Sequence, residues 1–146
     1  MPLKPPFHKQ ETRYSCVPAC LRMVLGSFSV DISERALRTR CDCTPYGTDA
    51  LMAVEAARAL GFVETAQYTL SPAELRTVVT AGHCPIVFVD LHPIDGLEAI
   101  HAMVVVDVRE QEVVVLDPLQ GERRFPGYVF TAAWARRHNL AMLVVR

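Results

Sequence analysis

Pro85 divides this chain of 146 residues into two stretches of different hydrophobic period, and that division constrains the fold more than any other feature. Before it, apolar residues recur at helical spacing between recognisable caps; after it, they gather in short β-branched runs. A first helix begins behind Ser15 as N-cap, with Pro18 in its first turn and Cys20, Leu21, Val24 and Leu25 as an apolar stripe that Gly26 ends. A second is expected over 32–39, with Asp31 as cap and Glu34 as its capping partner. A third is expected over 49–60, between Thr48 and Gly61, burying Leu51, Val54 and Leu60. Ser71-Pro72-Ala73-Glu74 is a capping box that opens a fourth helix, which runs through Val79 and closes at Gly82. Beyond Pro85, the runs 86–91, 102–108, 113–116 and 140–145 are joined without room for crossover helices, so antiparallel pairing is expected. A fifth helix around 132–137, capped by Thr131, interrupts them. The class is α+β, with an N-terminal helical half packed on a C-terminal antiparallel β-sheet.

A chain of this length fits one domain over 1–146, preceded by an extended Pro-rich arm at 1–9. No apolar run approaches the roughly 18–20 residues of a membrane span. A net charge of -1 without a basic stripe argues against nucleic acid. The start of the chain lacks the apolar stretch of a secretory signal, which makes the cytoplasm the expected location and keeps the five cysteines reduced. Cys41-Asp42-Cys43 does not combine with Cys16 and Cys20 at zinc-knuckle spacing, so neither a metal nor a cofactor is expected. The oligomeric state is not encoded in any sequence pattern.

The chemistry-bearing residues are few. Gln10 precedes Cys16 by six positions, and Cys16 sits where the first helix opens, a place where the helix dipole favours a thiolate. Of five histidines, His101 alone begins a strand, where a side chain is both accessible and firmly held. Counting back through a turn centred near 110 puts residue 119 or 120 opposite His101, with Asp117 a few residues along the neighbouring strand, roughly 7–10 Å away. Asp117 is therefore preferred over Asp107, which lies about 20 Å from His101 along its own strand. Each piece has an ordinary reading as well: a core thiol, a satisfied strand-end histidine, a strand-ending Asp-Pro. The combination points to nucleophilic thiol chemistry.

The ordered set Gln10, Cys16, Tyr46-Gly47-Thr48-Asp49 leading to Leu60-Gly61-Phe62, His101-Ala102-Met103-Val104 and Leu116-Asp117-Pro118 resembles the papain-like cysteine peptidases that process double-glycine leader peptides of bacteriocins. The likeness spans roughly residues 8–125. It implies a papain-like fold and hydrolysis of a peptide bond. Cys16 would be the nucleophile, His101 the acid and base, Asp117 the orienting carboxylate and Gln10 an oxyanion donor. Two departures stand out. Ser15 and Val17 flank the cysteine where family members often carry aspartate and glycine, and the chain shows neither a membrane span nor a phosphate loop, as in the free-standing branch. A peptide or protein substrate is implied, and an exporter or secretion partner stays open. A catalytically idle peptide-binding relative, a transglutaminase-like acyltransferase, and an interaction module or toxin component are the alternatives. Specificity is expected between the Cys16 helix and the 92–100 loop, with Pro93, Asp95 and Gly96 shaping the rim.

Overall fold

A computed structural model describes residues 4–146. Helix α1 (Cys16–Ser27) is apolar nearly all round and buries Val17, Leu21, Met23, Val24 and Leu25. Gly26 does not end it. A Cβ at that position would lie 2.7 Å from the Pro6 ring, so the glycine makes room for the N-terminal arm to cross the helix. Helix α2 (Glu34–Arg40) is capped by Ser33, whose side chain accepts from the Ala36 N–H, not by Asp31. In α3 (Ala50–Ala59) the cap is Asp49 in place of Thr48. Val54 is buried there as expected, but Leu51 is 50% exposed and Leu60 only half-buried, because the contact face is carried by Ala50, Ala53, Ala56 and Ala57. Gly61 follows α3 at φ +100°, a conformation that costs other residues.

Strand β1 (Ala66–Thr69), which lacks a clear alternation in sequence, comes next, followed by α4 (Pro72–Thr80) with both halves of its capping box in place. The remainder is β2 (Ile86–Asp90), the single turn α5 (His92–Asp95), β3 (Ile100–Val108), β4 (Glu112–Asp117), β5 (Gly121–Pro126), α6 (Gly127–Ala135) and β6 (Leu140–Leu143). Helix α6 starts five residues earlier than its sequence suggests, and Thr131 lies inside it. Buried Phe130, Ala133 and Trp134 set its extent, with no side-chain cap at its start. The six strands pair antiparallel in the order β1-β6-β2-β3-β4-β5.

Alternation along the strands sorts the core into two layers. Ile86, Phe88, Ala102, Val104, Leu116 and Met142 pack against α1, α2 and α3. Val87, Val89, Met103, Val105, Val113 and Val115 pack with Leu75 of α4 and with Phe130 and Trp134 of α6. The helices thus cover both faces of the sheet, and α4 departs from its sequence neighbours to join α6.

An irregularity in the β3–β4 hairpin sets which side chains meet at its open end. Near the turn, Val108 pairs with Val113 and Asp107 with Val114; past Val106 the pairing becomes Val105 with Val115 and Val104 with Leu116. Val106 is a bulge. Extending the shifted register places His101 opposite Leu119 and makes Asp117 its diagonal neighbour on the same side of the pleat. Without the bulge the carboxylate would point to the other face.

Candidate active site

Cys16 is the first residue of α1, half-buried, and lines an open cleft of about 630 Å³. Ser15 stands at the cap position but does not cap. Its hydroxyl turns back, donating to the Thr12 carbonyl at 3.2 Å and accepting from the Thr12 N–H at 3.1 Å. Pro18 has no N–H and the Ala19 N–H is spent on the Ser15 carbonyl. The Cys16 and Val17 N–H groups therefore open the helix without a side-chain acceptor, at its positive end. Val17 belongs to the core and also borders the cleft.

His101 faces the cleft from the start of β3 and is 6% exposed. Its Nε2 lies 2.7 Å from Asp117 Oδ1, which leaves Nδ1 as the nitrogen for the thiol. Burial by itself would depress the imidazolium. The hydrogen bond to Asp117, together with the hydrogen bond and charge of Cys16, overcomes burial and raises the pKa to about 9. Burial pushes the Asp117 carboxyl upward, but the hydrogen bond and charge of His101, the Leu119 N–H and Arg123 bring it below its ordinary value. Both oxygens of the carboxylate are engaged: Oδ1 takes His101 and the Leu119 N–H at 2.8 Å, while Oδ2 takes Arg123 Nη1 at 3.1 Å.

Arg123 is the residue that sequence reasoning missed. It comes from β5 and also forms a two-pronged pair with Asp95 of α5, at 2.7 and 3.0 Å. Nothing in Glu122-Arg123-Arg124 marks which arginine turns inward, because that depends on Arg123 pairing with Val115 across the sheet. Asp95 accordingly braces the carboxylate and does not shape the cleft rim. Of the 92–100 loop, only Ile100 reaches the cleft, whose other walls are Tyr46 to Ala50, Gln67, Phe88, Arg137 and Leu140. The rival Asp107 is held by Arg109 Nε at 2.8 Å.

Gln10 is 7% exposed and comes close to the Asp117 end, its backbone N–H donating to the Pro118 carbonyl at 2.8 Å. Its side chain does not line the cleft. One N–H of Nε2 goes to the Thr12 carbonyl at 2.7 Å, and Oε1 is buried without a partner. The Thr12 carbonyl fixes which end of the amide is nitrogen, since the reverse would oppose two oxygens. Next to it, the Glu11 N–H is received by the fully buried carboxylate of Glu34 at 2.8 Å, which Arg38 neutralises. Glu34, read from sequence as a capping partner, instead pins the segment that carries Gln10.

Cys20 is buried one turn beyond Cys16, and burial lifts its thiol well above the ordinary range; burial likewise raises Cys41 to about 12. Among the described residues no three His, Cys, Asp or Glu side chains converge to hold a metal, and no helix is long and apolar enough to cross a membrane.

The peptidase domain of Streptococcus ComA, a bifunctional ABC transporter involved in quorum sensing, is 27% identical, with a TM-score of 0.80 over 95% of this chain and 97% of that one. A double-glycine-motif protease from an AMS/PCAT transporter, solved with its leader peptide, is 21% identical with a TM-score of 0.77, covering 97% and 91% of the two chains. A C39-like peptidase of Bacillus anthracis shares the fold at 16% identity, with a TM-score of 0.83 over 97% and 94%. No curated protein sequence matches the chain. The model of the Peptidase C39 family matches residues 4–144, nearly the full length, and the chain belongs to that family.

Proposed function

We propose that the protein is a cysteine peptidase acting through Cys16, His101 and Asp117, with Gln10 as an oxyanion donor. The observation that carries this reading is the 2.7 Å bond between His101 and a fully engaged Asp117, beside a thiol on an open cleft. The Cys16 thiolate attacks the scissile carbonyl carbon, and the carbonyl π electrons move to oxygen. The oxyanion is received by the Cys16 N–H and, once the Gln10 side chain turns toward the cleft, by the second N–H of its Nε2. Collapse of the intermediate breaks the C–N bond, and the departing amine takes its proton from His101 Nδ1. Neutral His101 then accepts a proton from water, whose oxygen attacks the thioester and releases the carboxylic acid and Cys16. Asp117 keeps the imidazole in the tautomer and orientation that both steps need.

Residues 1–146 act in this reading as one peptidase-like unit in the cytoplasm, on a peptide or protein segment. Small residues flank the cut, as in the leader peptides that the resembling family processes, and the neighbour solved with a leader peptide supports that substrate class. An exporter that receives the trimmed product is the partner consistent with the transporter-borne neighbours.

Incubating the protein with a defined peptide library and reading product masses tests the proposal. Hydrolysis products that vanish in Cys16→Ala, with circular dichroism unchanged, are expected. Equal cleavage by parent and variant removes Cys16 from the mechanism. Amine adducts in place of acids, formed when a primary amine is added, identify an acyltransferase.

A further inference from the structure

The cleft runs across the sheet. Ala102 of β3 is paired with Phe88 of β2, and continuing the β2–β6 register puts Leu140 of β6 on the other side of Phe88. These three side chains form a row on the cleft floor, beginning beside His101 and ending two strands away, roughly 10 Å along. Past Leu140 the floor reaches Gln67 on the edge strand β1. An extended peptide advances about 3.3 Å per residue, so the row accommodates about three residues from the reacting carbonyl.

Arg137 stands at the far end of that row. It is half-buried and lines the cleft, yet it makes no ion pair among the described residues, whereas its neighbour Arg136 reaches Asp90 at 3.5 Å. Glu98 borders the hollow on the outer side of Arg137 without pairing with it. The other charged side chain of the cleft walls, Asp49, is committed to the N-terminus of α3, where it accepts from the Leu51 N–H at 3.1 Å. Arg137 is thus the one permanently charged residue lining the cleft that lacks an ion-pair partner among the described residues. Its backbone is also held firmly. The Arg137 N–H donates to the Trp134 carbonyl at 2.9 Å, the Leu140 N–H returns to the Arg137 carbonyl at 3.2 Å, and buried Trp134 donates its Nε1–H to the Leu140 carbonyl at 2.9 Å. Two successive left-handed residues, His138 and Asn139, complete this turn at φ +61° and +55°. The turn fixes the backbone from which the side chain is presented, and only the side-chain torsions of Arg137 are ordered on binding.

We infer that Arg137 is a specificity-determining residue that receives a carboxylate of the substrate, an aspartate or glutamate side chain about three to four residues from the scissile bond. The inference rests on the peptidase reading and adds the charge of the substrate to it. Arg137 offers two parallel N–H groups, which match a carboxylate, and a desolvating apolar floor of Phe88 and Leu140 strengthens the pair.

Two measurements decide it. In the first, cleavage sites in a peptide library are mapped for the parent, Arg137→Gln and Arg137→Glu. An acidic residue enriched at one position near the cut, lost in Arg137→Gln and replaced by lysine or arginine in Arg137→Glu, is expected. For a matched peptide pair the change lies in KM, by about tenfold, with kcat held within about threefold. Cleavage with no acidic enrichment, or enrichment that survives Arg137→Glu, overturns the inference and leaves the peptidase reading standing. In the second, the same acidic and lysine-substituted peptides are titrated against Cys16→Ala by fluorescence anisotropy. Should no peptide be cleaved at all, the peptidase reading fails, and this binding arm alone decides on Arg137. Preference for the acidic peptide that Arg137→Glu reverses supports the inference, and equal affinity overturns it.

Discussion

The two walls of the candidate site are built on opposite logic. On the α1 side, hydrogen-bonding capacity is left unused: Ser15 turns away from the helix, and the Cys16 and Val17 N–H groups have no side-chain acceptor. On the β3–β4 side, both carboxylate oxygens are taken. Asp117 answers His101, the Leu119 N–H and Arg123, and Arg123 answers Asp95. A wall with unfilled donors suits a charge that forms only during a reaction, whereas a saturated wall holds one imidazole in one orientation. Gln10 belongs to neither cleanly, since one N–H is committed to Thr12 while Oε1 has no partner in the protein.

This contrast is broken most severely on the β3–β4 side, next to the loss of Cys16 itself. Asp117→Asn is expected to lower kcat by about 10³-fold, because the amide oxygen, held toward His101 by the Leu119 N–H, carries no charge to stabilise the imidazolium, and its NH2 group opposes Arg123. It should also move the alkaline limb of the pH–rate profile down from about 9, since the Asp117 hydrogen bond and charge oppose the burial that depresses His101. An unchanged limb detaches the pair from the rate. On the unfilled wall, Gln10→Ala should lower kcat by about 10²–10³-fold with little change in KM, as loss of a single oxyanion donor does. A pure KM effect in steady-state kinetics marks Gln10 as structural.

Smaller changes sharpen the comparison. Arg123→Gln leaves Asp117 Oδ2 without its cation. We expect about tenfold lower kcat and about 1–2 kcal/mol lower stability in urea unfolding, with partial recovery in Arg123→Lys. Its alkaline limb should shift upward, opposite to Asp117→Asn, because the undivided carboxylate charge then falls on His101; equal directions in the two profiles refute a bracing role. The smallest effect is on thermal stability. The folded pKa of His101 lies above its unfolded value of about 6.5, so its contribution is fully present below that pH and is lost as pH rises through about 9. The depressed Asp117 carboxyl contributes above the ordinary carboxylate range and is lost in acid. The melting temperature of the parent should therefore fall by about 5–10 °C more than that of His101→Gln between pH 6.5 and 9.5.

Elements built from adjacent residues could be read directly. The α4 capping box is complete within Ser71 to Glu74, and the β-branched runs at 86–91 and 113–116 carry their own signal. Misread elements depend on distant partners. The charged edge strand β5 gains its identity from lying beside β4, and α6 begins where Phe130 and Trp134 find the second core layer. At α1, helix and cysteine were both evident, but the retreat of Ser15 toward Thr12 was not, because a serine before a helix is ordinarily a cap.

Sequence alone identified the thiol, imidazole, carboxylate and amide as an ordered set, and it determined the α+β class, since helical caps and β-branched runs are local properties. It left the residue facing His101 open between 119 and 120. Tertiary structure made that decision through the bulge at Val106, and one residue of register separates a carboxylate beside the imidazole from one on the far face of the sheet. Burial then did the rest: the buried carboxylate that raises His101 also draws Arg123 inward, and the turn between α6 and β6 brings Arg137 to the cleft, outcomes of packing between segments far apart in the chain.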